Sequence, residues 1–157
     1  MTPFTIEGLW LGLGLTHAAH VVAVEVDTRL GRVQPIRVAN ALAVGTVHVP
    51  ELARSQVHGG VVQGIGYALH EERILDPHTG LNITTDFDSY RLPGVAETPT
   101  IEVDFIPGGF EHSASRSAGL AELATVAVPA AVANAIRAAT GKRHTRLPIR
   151  PERVVVE

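Results

Sequence analysis

The chain contains no cysteine in its 157 residues. That excludes disulfides, thiol catalysis and any cysteine-held iron–sulfur cluster within it, so electrons released by a redox step here have to leave through another protein. Strong charge of either sign is also missing: the net charge is -3 and the pI is near 6.2. Nothing in that balance points to nucleic acid, and the locally basic "GKRHTRLPIRPER" reads as a solvated surface or a subunit contact. A signal or membrane segment would need a long apolar run. "GLWLGLGLTHAAHVVAVEV" imitates one, yet His17, His20 and Glu25 break it and the preceding "MTPFTIE" is acidic. We expect it to form part of a folded core in a cytoplasmic protein with no membrane partner. There is no internal repeat and no linker, and the chain length with 45% hydrophobic residues fits one domain over residues 1–157.

What is present reads as alternating structure. β-branched and polar residues alternate around the turn signal "DTRLG", which predicts a β-hairpin from about residue 20 to 45. Pro50 opens a helix through "PELARSQVHGGVVQGIGYALHEERIL", where Val57, Val61, Ile65 and Ala68 recur at helical spacing before the turn "DPHTG". A further strand is expected at "TIEVDFI". The last helix is bounded by Pro129 in its first turn and Gly141 as a left-handed cap. Together these predict an α+β fold, a mixed sheet with a β-hairpin and two long helices packed on it.

Two segments carry candidate chemistry. Gly59, Gly60, Gly64 and Gly66 fall inside the first helix, where each costs roughly 1 kcal/mol relative to alanine. Projected at the helical period, Gly59, Gln63, Gly66 and His70 share a stripe, with Gly60 and Gly64 beside it and the valine and isoleucine stripe elsewhere. Gln63 then projects from a bare wall as a seat for a polar ligand; the other reading is close helix–strand packing with a structural Gln63. Glu122, in "GLAELATVAVPAAVANAI", precedes the last helix, because a helix begun at Gly119 would bury Pro129 in its interior at about 3 kcal/mol. It is either a capping or solvated carboxylate, or a general base held in an apolar pocket.

Other candidates are weaker. The eight histidines offer no three- or four-ligand zinc set beyond the pair His17 and His20. "DFDSY" lacks the remaining glycine and glutamate of a calcium loop. No metal-ligating side chain is assigned, and "NIT" at Asn82 is a sequon only in a secreted protein.

Taken in order, "QVHGGVVQGIGYALHEE", the Phe87, Tyr90 and Arg91 of "F..YR", "IEVDFIP", "GLAELATVAVPAAVANAI" and "ATGKRHTRLPI" resemble the C-terminal portion of the molybdenum-cofactor-binding subunit of the xanthine dehydrogenase and aldehyde oxidase family, especially its isoquinoline 1-oxidoreductase and aldehyde dehydrogenase type. The resemblance runs from about Leu13. It implies hydroxylation of N-heteroaromatics or aldehydes, in which a glutamate deprotonates a hydroxyl on molybdenum whose oxygen attacks carbon. Glu122 matches that base, within Gly119, Leu120, Ala121 and Glu122. Gln63 matches the glutamine of the family's Q-G-L-G motif that contacts the pterin, and Gly64 and Gly66 match its glycines. Gly119 and Ala121 accordingly fall among the cofactor-binding positions.

The chain departs from the family at Ala43 and Val44, where Asp-Cys is usual before Gly45, and at Val49, His58 and Ala121. It is also several times shorter than the family's catalytic subunit. The resemblance therefore implies a molybdopterin cofactor shared with missing portions of that subunit, no iron–sulfur cluster in this chain, and three partners: the remaining N-terminal portion, a separate iron–sulfur subunit and a small-molecule substrate. The alternative is a non-catalytic remnant or assembly domain of the same fold.

Overall fold

A computed structural model describes residues 16–111 and 113–155. The apolar run expected in the core lies partly outside the described residues, at positions 8–15. Its remainder opens strand β1 (His17–Asp27). That strand pairs antiparallel with β2 (Arg32–Ala43), from Asp27 opposite Arg32 to His17 opposite Ala43. The Asp27 carboxylate accepts from the backbone N–H groups of Arg29 and Leu30, which closes the expected turn. Pro35, which has no N–H, lies at the register shift between Ala23 and Val24.

β3 (Thr100–Phe105) joins the other edge of β2 in parallel, with Val38 opposite Ile101 and Leu42 opposite Phe105. A parallel partner requires a crossover, and helix α1 (Pro50–Leu69) lies within that connection. The result is a three-stranded mixed sheet in the order β1-β2-β3. On its packed face Val22, Val38 and Leu42 meet Val57, Val61 and Ile65 of α1 and Val128, Val132 and Ile136 of α3 (Val128–Thr140) in one core. The expected α+β architecture is therefore present, with α1 and α3 as the two long helices.

Three local expectations change. α1 ends at Leu69 rather than running on to about residue 75. The N–H groups of His70 and Glu71 both donate to the Gly66 carbonyl, and the Glu71 side chain turns back into the space beside Gly66. There the Tyr90 hydroxyl donates to its carboxylate at 2.6 Å, a tertiary tie that wins over helix propensity. Ahead of α3 stands an additional short helix, α2 (Leu123–Val126), separated from it at Ala127. Pro129 enforces the break, since its ring obstructs a continuous helix, and Gly141 caps α3 at φ 77. The basic tail is not wholly solvated: Ile149 and Val154 are buried, and the Ile149 N–H donates to Ala68 O at 2.7 Å. Pro151–Val154 form a final short helix, α4.

A polar triad sits inside this packed face. His20 is buried, and its Nδ1 lies 2.7 Å from Asn40 Oδ1, while Asn40 Nδ2 donates to the Glu102 carbonyl at 2.8 Å. Because His20 and Asn40 are cross-strand partners, the triad ties all three strands to one register.

Candidate functional site at the α1–α2 junction

The glycines of α1 divide into two sets. A Cβ at Gly60 would lie 2.7 Å from the Ala124 Cβ, and one at Gly64 would lie 2.7 Å from the Val128 Cβ and 3.2 Å from the Thr125 carbonyl oxygen. These two residues let α2 and the start of α3 approach the α1 backbone, which is the packing interpretation, although the neighbours are helices rather than a strand. Gly66 is filled by Glu71. A Cβ at Gly59, by contrast, would meet nothing within 4 Å. The stripe projected from sequence therefore splits: Gly59 and Gln63 are exposed, whereas Gly66 is buried.

Gln63 stands where the two sets meet. Its Nε2 donates to the Tyr67 hydroxyl at 2.6 Å, one turn along the helix, and its Oε1 accepts from Thr125 Oγ1 at 3.5 Å. Thr125 belongs to the turn that Glu122 begins, and its N–H donates to the Glu122 carbonyl at 3.0 Å. Gln63 and the Glu122 turn are thus brought together by close helix packing. Glu122 occupies the N-cap position of α2, but its side chain makes no capping hydrogen bond and is exposed. Within this chain it is the solvated carboxylate of the first reading: it neither caps the helix nor lies in a pocket.

The approach to Glu122 is fixed from the sheet. Thr46 N donates to Arg116 O at 2.8 Å and Ala118 N to Val44 O at 3.0 Å, around the isolated bridge between Gly45 and Ser117. Residues 119–122 consequently leave the end of β2 at a set angle, with Gly119 and Ala121 exposed and open space where a Gly119 Cβ would sit. Two non-glycine residues nearby, Phe110 at φ 64 and Arg116 at φ 51, occupy the left-handed region. Each costs of order 1 kcal/mol, so packing must hold them there: the Phe110 ring is buried, and Arg116 O receives Thr46. Nothing in residue type signals these conformations in advance.

A separate cavity of about 270 Å³ lies at the far end of α1, between His70, Arg91, Glu97 and Gly31 of the hairpin turn. It contains neither Gln63 nor Glu122. Burial pushes the His70 imidazole below its usual range, against the pull of Glu97 at 3.8 Å; Arg91 adds to the depression and Glu71 opposes it. Desolvation is the larger effect, so burial disfavours the charged ring despite the Glu97 carboxylate beside it.

The α1–α2 junction offers a side-chain amide with both donor and acceptor, glycine backbone open at Gly59 and Gly119, and a free carboxylate at Glu122. Such an open, polar, glycine-walled face fits the edge of a large polar cofactor that approaches backbone closely. Gly60 and Gly64 lie behind it as packing. These features make the junction a candidate cofactor-binding site on the surface of an α+β domain.

Comparison with known proteins identifies which one. The molybdopterin cofactor-binding domain family matches residues 12–99. The putative xanthine dehydrogenase molybdenum-binding subunit of Escherichia coli K12 is 35% identical over 136 residues, which cover 87% of this chain and 18% of that protein. The aldehyde oxidoreductase molybdenum-binding subunit of the same strain is 38% identical over 135 residues, covering 85% and 18%. Among solved structures, quinoline 2-oxidoreductase from Pseudomonas putida 86 superposes with a TM-score of 0.82 at 27% identity, over 88% of this chain and 18% of that one. The chain belongs to the molybdopterin cofactor-binding domain family found in the molybdenum-binding subunits of xanthine dehydrogenase and aldehyde oxidoreductase. It spans about 18% of the length of these curated relatives.

Proposed function

We propose that this chain is the C-terminal molybdopterin-binding portion of an oxidoreductase that hydroxylates N-heteroaromatics or aldehydes, acting once joined to the remaining N-terminal portion of its molybdenum-binding subunit. The observation that carries this reading is the contact from Gln63 through Thr125 to the turn headed by Glu122. It sets the Gln63 amide beside the turn on which Glu122 stands exposed. The substrate classes follow the names of relatives and neighbours, which include a nicotine 6-hydroxylase large subunit and quinoline 2-oxidoreductase.

In this proposal Gln63, with the open backbone of Gly119 and Ala121, holds the cofactor, while Gly64 and Gly66 keep that wall in place through packing. The bound cofactor supplies the two-electron oxidation. Glu122 accepts at a carboxylate oxygen the proton lost by the oxygen nucleophile, as a general base. The exposure of that carboxylate here requires the rest of the subunit to exclude water around it, which strengthens the electrostatics of the step. Electrons pass to a separate iron–sulfur subunit, in keeping with the absence of cysteine from these 157 residues. The protein is cytoplasmic in this account.

The test is kinetic. In the assembled enzyme, Glu122→Gln retains molybdenum but lowers kcat for a heteroaromatic or aldehyde substrate by about 10²–10⁴-fold, the usual contribution of a positioned base. A variant that turns over within a few-fold of the unsubstituted enzyme removes Glu122 from that role. The second reading, a non-catalytic assembly domain, is favoured by the absence of a capping bond or enclosure at Glu122. It predicts an assembled complex without molybdenum.

A further inference from the structure

The connection between α1 and β3 presents apolar side chains to solvent in an unusual concentration. Ile74, Leu81, Ile83, Phe87, Leu92 and Val95 are all exposed, with Phe87 at 82% and Val95 at 94% of their full area. Single exposed apolar residues are ordinary on a protein surface; a run of them in one connection marks an interaction surface.

The segment is also built to hold its shape. Ile83 N donates to Ile74 O and Asp76 N to Leu81 O, both at 2.8 Å, about the bridge between Leu75 and Asn82. Alternation along this pair sets Ile74, Leu81 and Ile83 on one face and Leu75, also exposed, on the other. Asp76 accepts from the N–H groups of His78 and Thr79, Asp86 accepts from Ser89, and Glu97 accepts from Gly94 N. Tyr90 anchors the arm to Glu71 at the end of α1. Apolar side chains on turns fixed in this way lose little conformational entropy when covered, which is the economy of a preformed docking face.

We infer that this α1–β3 arm is the face on which the remaining portion of the molybdenum-binding subunit docks. The occupant follows from length: most of each relative lies outside the matched region, and that missing chain has to meet this domain over an extended surface. The arm is anchored at the Glu71 end of α1, beyond Gln63, so docking there leaves the α1–α2 face free for the cofactor. This inference rests on the proposed function insofar as that reading supplies the partner.

The experiment co-expresses the full 157-residue chain with the remaining portion of the subunit and isolates the complex through a tag on this chain. The unsubstituted chain is expected to carry the partner at one-to-one. Leu81→Glu, Phe87→Glu and Val95→Glu combined are expected to reduce that recovery at least tenfold, with the circular dichroism spectrum and melting temperature of the isolated chain unchanged. Hydrogen exchange on the unsubstituted proteins provides a second readout that needs no variant: the amides of residues 74–95 should gain protection in the complex. Full recovery of partner by the triple variant, or no added protection, overturns the inference, as does a failure of the unsubstituted chain to bind the partner. A concentration-dependent dimer of this chain, abolished by the triple substitution, assigns the face to a second copy and also overturns it. Molybdenum content, measured on the same complex, separates the two ideas: a one-to-one complex without metal refutes the cofactor reading and leaves the docking face standing.

Discussion

Replacing Gly64 by alanine and, separately, Gly59 by alanine adds the same methyl group to two different surroundings of one helix. Both substitutions gain the intrinsic helix preference of alanine over glycine, about 0.8–1.0 kcal/mol. At Gly59 nothing opposes the gain, because a Cβ there meets no atom within 4 Å. At Gly64 the methyl would stand 2.7 Å from the Val128 Cβ, 2.9 Å from its Cγ1 and 3.2 Å from the Thr125 carbonyl. Overpacking of this kind costs typically about 1–3 kcal/mol, and the neighbours are a β-branched side chain and backbone, which yield little. The two variants should therefore differ by about 2 kcal/mol, which for a chain of this size corresponds to roughly 4–8 °C in melting temperature. Thermal unfolding followed by circular dichroism, supported by urea titration, would place Gly59→Ala above the unsubstituted protein and Gly64→Ala at or below it. Should Gly64→Ala raise the melting temperature as much as Gly59→Ala, the close contact of α1 with α2 and α3 is not what the glycine serves, and the positioning of Glu122 loses its physical basis.

Burial lowers the pKa of both His70 and His144, and Lys142 and Arg153 add to the effect at His144. An unfolded histidine titrates near about 6.5, so below that pH the unfolded chain binds more protons than the native one. Urea midpoints should be level above about pH 6.5 and fall on acidification, less steeply in His70→Gln; a midpoint that rises between pH 7 and 5 contradicts this. Asn40→Leu leaves the buried His20 ring and the Glu102 carbonyl without their partners and should cost about 1–3 kcal/mol, read from the shift in urea midpoint at unchanged slope. A loss below about 0.5 kcal/mol would show that the triad does not set the sheet register. Tyr90, pushed up to about 12 by its hydrogen bond to Glu71, should ionise at lower pH in Glu71→Gln when followed by ultraviolet absorbance.

How much of this was legible in the sequence differs between elements. The hairpin and β3 were readable because β-branched residues alternate with polar ones, and α3 because Pro129 and Gly141 mark its ends. The end of α1 was not, since Glu71 leaves the helix for a partner, Tyr90, nineteen residues away. The glycines were recognisable as a departure from helix preference, but projection on a wheel could not say which faced a neighbour; Gly60 and Gly64 are occupied by α2 and α3, and only Gly59 stays bare. The order of short motifs pointed to the family, and the family match confirms it. The surroundings of Glu122 could not be read locally, because the approach to it depends on the end of β2 and on two residues with left-handed backbone. The basic tail is mostly exposed, as its charges suggest, while Ile149 and the following Val154 pack into the core.

Molybdenum analysis of the assembled subunit with Gln63→Leu in this chain asks whether the exposed α1–α2 face carries the cofactor. Because Gln63 is exposed, the isolated variant should keep its melting temperature within a few degrees. Molybdenum per assembled subunit should then drop several-fold below that of the unsubstituted complex. Equal molybdenum in the two complexes would contradict it and move the cofactor away from this face.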